Sequence, residues 1–292
     1  MKKIFVEVND MSELKRMAAI HDLSGLGKCS ITAALPIVSA SGVECCCIPT
    51  ALLSTHTGGF TGWTFRDLSE DMVPIAKHWN SLGMKFDAVY SGYLASPEQG
   101  ELLCECIDLL SGEDTLVIVD PAMADNGRYY ANLGPDMTEC FKKIIGRADI
   151  ITPNMTEACF LTGTEYRSVG NDDEFVERLL DALTELGPET VVITGVCSSD
   201  GEVGIVGRDS KNGEVCRLMS PARNGTFHGS GDVFASALSA LLVRGFEFER
   251  ALRLAQEFVA DCVDRTERRC GGGNYGLDFE SALPRYIAKI NE

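Results

Sequence analysis

The sequence predicts an α/β fold built on a mostly parallel central sheet with helices on both faces. Short apolar runs at 17–20, 43–48, 88–90, 116–119, 150–151 and 191–193 alternate with amphipathic helical stretches. That alternation marks strands buried on both faces and joined by crossover helices. Polar and glycine-rich clusters follow these runs, where parallel sheets place their ligands. A chain of 292 residues with 45% hydrophobic content can also bury a core of the size such a sheet needs.

The first strand opens at Met17, and residues 1–15 read as an N-terminal extension of a single domain spanning 1–292. The start MKKIFVEVND lacks the apolar segment of a signal peptide, and Met11 is an alternative start. No apolar run approaches the ~20 residues of a membrane span.

After the first strand comes HDLSGLGKCS, residues 21–30, which reads as a glycine-bearing turn between strand and helix. It is not a Walker loop, because Asp22 and Cys29 stand where that pattern needs Gly and Ser or Thr. It is not a dinucleotide fingerprint either, because the third glycine is missing.

Each later run ends in a cluster of its own: STHTGG (54–59), SGYLAS (91–96), DPAMADNGR (120–128), TPNMTE (152–157) and TGVCSSDG (194–201). The pattern changes after residue 200, where apolar stretches at 202–206 and 215–219 flank the turn-rich GRDSKNG and predict an antiparallel hairpin. NGTFHGSGD then leads into an apolar, small-residue helix at 233–243, which predicts a buried central position. Helical patterns at 248–264 and 279–290 finish the chain.

A net charge of −17 argues against nucleic acid or an anionic membrane as partner and favours a small molecule. Twelve cysteines without a single C-x-x-C pair argue for reduced, mostly buried thiols in a cytosolic protein, not a disulfide scaffold or zinc site.

Gly229-Ser230-Gly231-Asp232 is the most specific signal. Glycines at a helix start expose the first unpaired N–H groups, and with the helix dipole these make an anion site suited to phosphate. Asp232 falls in the first turn, where an ionised carboxylate is favoured and where it can accept a proton from an attacking hydroxyl. In isolation the same residues also read as a helix cap.

HGSGDVFASALSALL (228–242) resembles the C-terminal signature of the ribokinase superfamily, and STHTGG, YSGYLAS, VDPAMAD and ADIITPNMTEA resemble its pyridoxal kinase branch, in order from about residue 17 to 242. The resemblance implies a ribokinase-like three-layer α/β/α sandwich. It also implies a cytoplasmic homodimeric kinase that uses ATP and Mg²⁺ to phosphorylate the 5′-hydroxymethyl group of pyridoxal, pyridoxamine or pyridoxine. A monovalent cation such as K⁺ belongs to the same expectation.

By that resemblance Asp232 is the catalytic base, and Gly229, Ser230 and Gly231 form the anion hole. Asp120 and Glu157 position metal and phosphates, with Asn154 and Thr194 beside them; Asn154 and Glu157 also have the spacing of a helix capping box. Asp125, with Gly127, Arg128 and Tyr129, matches a lid over ATP. Thr57 and Tyr93 match the substrate pocket, and His56 lies beside Thr57.

Asp22 departs from the branch, which carries serine there, and is similar to the hydroxymethylpyrimidine kinases of the superfamily. An aspartate suits a protonated ring or an amino group. Asp232 pulls the other way, because phosphomethylpyrimidine kinases commonly resemble G-T-G-C at this site. A vitamin B6 kinase is therefore the first expectation. A hydroxymethylpyrimidine kinase of thiamin synthesis and a non-catalytic B6- or nucleotide-binding protein are the alternatives.

Overall fold

The computed structural model describes residues 14–292 except 212, 224 and 272. Met11 and most of the expected extension therefore lie outside the described residues. Lys15 is already engaged: its ammonium pairs with Asp87 at 2.7 Å and its carbonyl accepts the Glu44 amide at 2.8 Å.

The chain begins β1 (Arg16–Ser24), α1 (Ile31–Ala40), β2 (Glu44–Leu53), β3 (Phe65–Asp67), α2 (Ser69–Ser81), β4 (Ala88–Ser91), α3 (Pro97–Leu110) and β5 (Leu116–Val119). There follow β6 (Ala124–Asp125), β7 (Arg128–Tyr129), α4 (Pro135–Ile145), β8 (Ile150–Ile151), α5 (Met155–Thr162), α6 (Asp173–Thr184) and β9 (Thr190–Cys197). The hairpin β10 (Glu202–Asp209) and β11 (Glu214–Pro221) leads to α7 (Ser230–Val243), α8 (Phe248–Cys270) and α9 (Phe279–Lys289).

Among the described residues the main sheet runs β11-β10-β9-β8-β5-β4-β1-β2-β3. Its inner strands from β9 to β2 are parallel. Antiparallel neighbours close both edges. One core cluster joins the sheet to α2 through α6, and two others join its opposite face to α1 and α7 through α9. The result is the expected three-layer α/β/α sandwich. Strand β1 shows why: Met17, Ala18, Ala19 and Ile20 are all 0% exposed, so alternate residues enter opposite cores. Helix α7 is buried from Val233 through Leu241, its alanines and serines letting it lie close to its neighbours.

Three expectations change in detail. The first strand does not stop at Ile20 but runs through Ser24, so His21 and Asp22 belong to the sheet and not to the turn. Cys45, Cys46 and Cys47 are half-buried, as are Cys104, Cys197 and Cys216. The short strands β3, β6 and β7 were not anticipated. β3 is exposed at all three positions and carries no core signal, and β6 and β7 have two residues each.

Gln99, in the first turn of α3, ties the β2–β3 edge of the sheet to α2 and α3. It is 0% exposed. Its oxygen accepts the Ala95 amide at 2.9 Å, and its nitrogen donates to Thr50 O at 3.0 Å, Asp67 at 3.2 Å and Ser69 at 3.2 Å. Replacing it by leucine leaves buried partners unsatisfied. Gln99→Leu is expected to cost about 1–3 kcal/mol of unfolding free energy in urea melts; an unchanged midpoint would show the network is not needed.

Candidate active site

The site lies along the carboxyl ends of β1, β4, β5 and β8, with the N-terminus of α7 facing them. Its first wall is the end of β1. His21, Asp22 and Ser24 are 0%, 3% and 1% exposed, and the pairing with β2 shifts register between His21 and Leu23. Ser24 donates to Asp22 at 2.8 Å. The chain then turns through Gly27, Lys28 and Ser30, at φ 113°, 59° and 53°, before α1 begins. Two non-glycine residues at positive φ in three positions is a concentration of backbone strain, held by the packing around it. Lys28 turns away from the cleft to Glu280 at 2.6 Å and the Leu277 carbonyl at 3.1 Å, so it anchors α9 and has no phosphate-loop role.

The second wall is the start of α7. Gly229 is the N-cap at φ 80°; the Ser230 amide makes a long bond to Phe227 O at 3.4 Å, and Gly231 and Asp232 carry the next amides, which have no partner a turn earlier among the described residues. A Cβ on Gly229 would lie 2.7 Å from the Lys28 carbonyl oxygen and 3.3 Å from Cys29 Sγ. Glycine is required there by both φ and space, and it lets the strained turn press against the anion cradle. A Cβ on Gly231 would meet nothing within 4 Å, so the cradle opens to the cleft.

Burial, and secondly the charge of Asp22, push the Asp232 carboxyl up to about 7. Hydrogen bonds from the Ser30 amide and the Cys29 thiol oppose the rise. Asp22 is itself pushed up by burial, against donors from Ser30 and Ser24. A carboxylate poised near neutrality beside unpaired amides is the arrangement a general base needs.

A second group of side chains follows β5 and β8. Asp120, just beyond β5, is 7% exposed and is pushed well up by burial and by Asp232. Glu157, 1% exposed, feels Asp120 in turn. Its oxygens accept the amides of Asn154 at 2.8 Å, Met123 at 3.0 Å and Ala124 at 3.3 Å. Asn154 returns the capping-box bond to the Glu157 amide at 3.0 Å, and its amide group donates to Ala124 O at 2.7 Å. Thr194 sits beside it through a bridge to Asn154 and donates its amide to Pro153 O at 2.9 Å.

Asp125, Gly127, Arg128 and Tyr129 form the β6–β7 hairpin. Asn126 and Gly127, at φ 51° and 73°, make the turn that two-residue hairpins favour. The hairpin is fastened to its neighbours, with Gly127 N donating to Thr156 at 3.0 Å and Tyr129 OH bonded to Thr138 at 2.8 Å. Asp125 itself is exposed.

Magnesium suits oxygen ligands and is commonly held by one or two carboxylates together with substrate phosphates. Asp120 fits that description. It is buried, no basic side chain acts on it, and Asp232 and Glu157 crowd it with charge of its own sign. Among the described residues no three His, Cys, Asp or Glu side chains gather into a closed metal cage.

Just beyond β4, Tyr93 is pushed up to about 12 by burial and by Asp22, which places its hydroxyl within reach of that carboxylate's field. Its ring lies 6.5 Å from that of Tyr130. Thr57 is half-buried in the loop between His56 and Gly58. His56 Nδ1 accepts the Gly58 amide at 3.1 Å, so Nε2 carries the hydrogen and donates to Asn274 O at 2.7 Å. Tyr130, Ser30 and His228 were not predicted as site residues, nor were the buried hydroxyls of Thr55, Ser91 and Thr152, which have no hydrogen-bond partner among the described residues. Only their position just after strands or next to the glycine signature could have flagged them.

Comparison with known proteins agrees with this geometry. The family profile described as phosphomethylpyrimidine kinase matches residues 26–278. A crystal structure of a Bacteroides thetaiotaomicron protein, described as a phosphomethylpyrimidine kinase and solved with pyridoxal, superimposes with a TM-score of 0.87 at 31% identity, covering 96% of each chain. Pyridoxal kinase from Lactobacillus plantarum superimposes with a TM-score of 0.84 at 29% identity, covering 94% of this chain and 98% of its own. A pyridoxal kinase of Rubrobacter xylanophilus is 29% identical over 238 residues, 78% of this chain and 79% of its own. The chain is a ribokinase-like kinase and belongs to the phosphomethylpyrimidine kinase family.

Proposed function

We propose that the protein transfers the γ-phosphoryl group of ATP to the 5′-hydroxymethyl group of a B6 vitamer, with pyridoxamine or pyridoxal foremost. The observation that carries this reading is Asp232: a buried carboxylate in the first turn of α7, pushed up to about 7, at a helix start capped by Gly229 at positive φ. In the proposed reaction Asp232 accepts the hydroxyl proton as the oxygen attacks, while the anion hole of Gly229, Ser230 and Gly231 holds the phosphoryl oxygens. Asp120 and Glu157 would hold Mg²⁺, which when bound neutralises charge on the phosphates. Asn154 and Thr194 line the nucleotide side and Asp125 its rim. Thr57 and Tyr93 flank the vitamer ring, and Asp22 faces its protonated nitrogen or amino group.

The single kinase domain, the cytoplasmic location and a homodimer belong to the same proposal. The free cysteines among the described residues suit a reducing compartment. The exposed edge strand β3 with Phe65, beside Leu52 of β2, offers an apolar contact surface. No described helix is long and apolar enough to cross a membrane.

A hydroxymethylpyrimidine kinase is the second reading, favoured by Asp22, which suits an aminopyrimidine as well as pyridoxamine. Turnover with pyridoxal, pyridoxamine, pyridoxine and hydroxymethylpyrimidine separates the two, and a dominant pyrimidine activity would overturn the first. In the same assay Asp22→Ser should change the ranking of the substrates several-fold while leaving the KM for ATP within about twofold. An unaltered ranking would remove Asp22 from the pocket.

Asp232→Asn should lower kcat by at least about 10²-fold, in the range for loss of a general base, with ATP still bound. It should also stabilise the fold. The folded pKa is about 7 against an ordinary 3.8. The native state therefore holds the extra proton between those values, and stability falls as pH rises through that window. The gain in Tm should be larger at pH 8 than at pH 5. A loss of stability at pH 8 would show the carboxylate to be a structural cap.

A further inference from the structure

We propose that His228 is a further catalytic residue, whose imidazole donates a hydrogen bond to an oxygen of the transferring phosphoryl group. The inference rests on the kinase reading above and adds a residue to it.

The sequence has four histidines, and three are committed elsewhere. His21 is 0% exposed, lies 4.3 Å from the Tyr90 ring and is pushed down to about 3 by burial, so it stays neutral inside the sheet. His78 is on α2, in the layer across the sheet from α7. His56 has both ring nitrogens engaged.

His228 is half-buried, immediately precedes the Gly229 cap, and has no hydrogen bond to its ring among the described residues. Its ring packs on the substrate loop. A Cβ on Gly58 would lie 2.8 Å from His228 Nδ1 and 2.9 Å from Cε1, so the close approach exists because residue 58 is glycine. The rings of His56 and His228 are 5.3 Å apart. From the other side the charge of Asp125, on the nucleotide-side hairpin, acts on the imidazole. His228 thus stands where the substrate loop, the anion cradle and the nucleotide rim meet.

The chemistry calls for a donor there. Phosphoryl transfer spreads negative charge over the equatorial oxygens, and side-chain donors normally meet it. No lysine or arginine acts on Asp120 or Asp232, and Lys28 is tied to Glu280 and Leu277. His228 is an uncommitted side-chain donor that can carry positive charge at this point. Burial and His56 hold its pKa down, and Asp125 opposes them. A bound polyphosphate adds to the influence of Asp125 and favours the charged imidazole.

The test is steady-state kinetics on H228A and H228Q with the preferred vitamer and ATP, alongside the affinity of each variant for ADP and for ADP with aluminium fluoride. H228A should lose about 10–100-fold in kcat, as removal of an oxyanion donor does, with both KM values within about threefold. It should bind ADP as the native protein does and ADP with aluminium fluoride at least about tenfold more weakly. H228Q, which keeps a donor, should recover part of both losses. If H228A keeps the native kcat, or changes a KM alone, or weakens both ADP complexes equally, His228 does not touch the transferring group. If the native protein phosphorylates neither the vitamers nor the pyrimidine, the kinase reading falls and this inference falls with it.

Discussion

Four acidic side chains, Asp22, Asp120, Glu157 and Asp232, share one desolvated cleft, and each has its carboxyl pushed up by burial. Their influences form a chain: Asp22 acts on Asp232, Asp232 on Asp120, and Asp120 on Glu157. Like charges at this spacing, without a basic side chain beside the middle pair, oppose folding. The protein offsets the repulsion with donors aimed at the two ends and at the base: three backbone amides on Glu157, serine hydroxyls on Asp22, and the Ser30 amide with the Cys29 thiol on Asp232. Asp120 is left as the member that feels only charge of its own sign. A divalent cation bound there and a protonated ring at Asp22 would each relieve the strain. Ligand affinity and native-state instability then have one source.

The sheet order makes this crowding possible. β1, β4, β5 and β8 are consecutive neighbours in the sheet. Their carboxyl ends set out Asp22, then Ser91 and Tyr93, then Asp120, then the Thr152–Glu157 region, in one line. Helix α7 is buried against the sheet through its alanines and delivers its N-terminus to the middle of that line. The strained turn at Lys28 and Ser30 closes the remaining gap. It brings the Lys28 carbonyl against Gly229, and Ser30 between the two aspartates. Substituents that look independent along the chain are therefore mechanically one unit.

Much of this was legible in the residues, for physical reasons. Alternation of apolar runs with amphipathic helices reports a parallel sheet because both faces must be buried. The small-residue helix after Gly231 reports its own burial. The Asn154 and Glu157 spacing announced a capping box, and the structure contains it. What stayed hidden depends on tertiary contact. His21 to Ser24 read as a turn because they are polar, yet they are strand, since His21, Leu23 and Ser24 pair with Pro49, Leu52 and Leu53 of β2. β3 and the β6–β7 hairpin are too short to show a period. His228 gave no signal of its own, because its place is set by Gly58, about 170 positions earlier in the chain, and by Asp125 on the β6–β7 hairpin.

The central claim is that the cleft holds Asp232 close to neutrality through burial and through Asp22. Following the ¹³C resonance of the Asp232 carboxyl group through a pH titration of the ligand-free protein measures this directly. The account predicts a midpoint near 7, falling when Asp22 is replaced by asparagine. A midpoint close to the ordinary 3.8 of an aspartate, unmoved by that replacement, would contradict it.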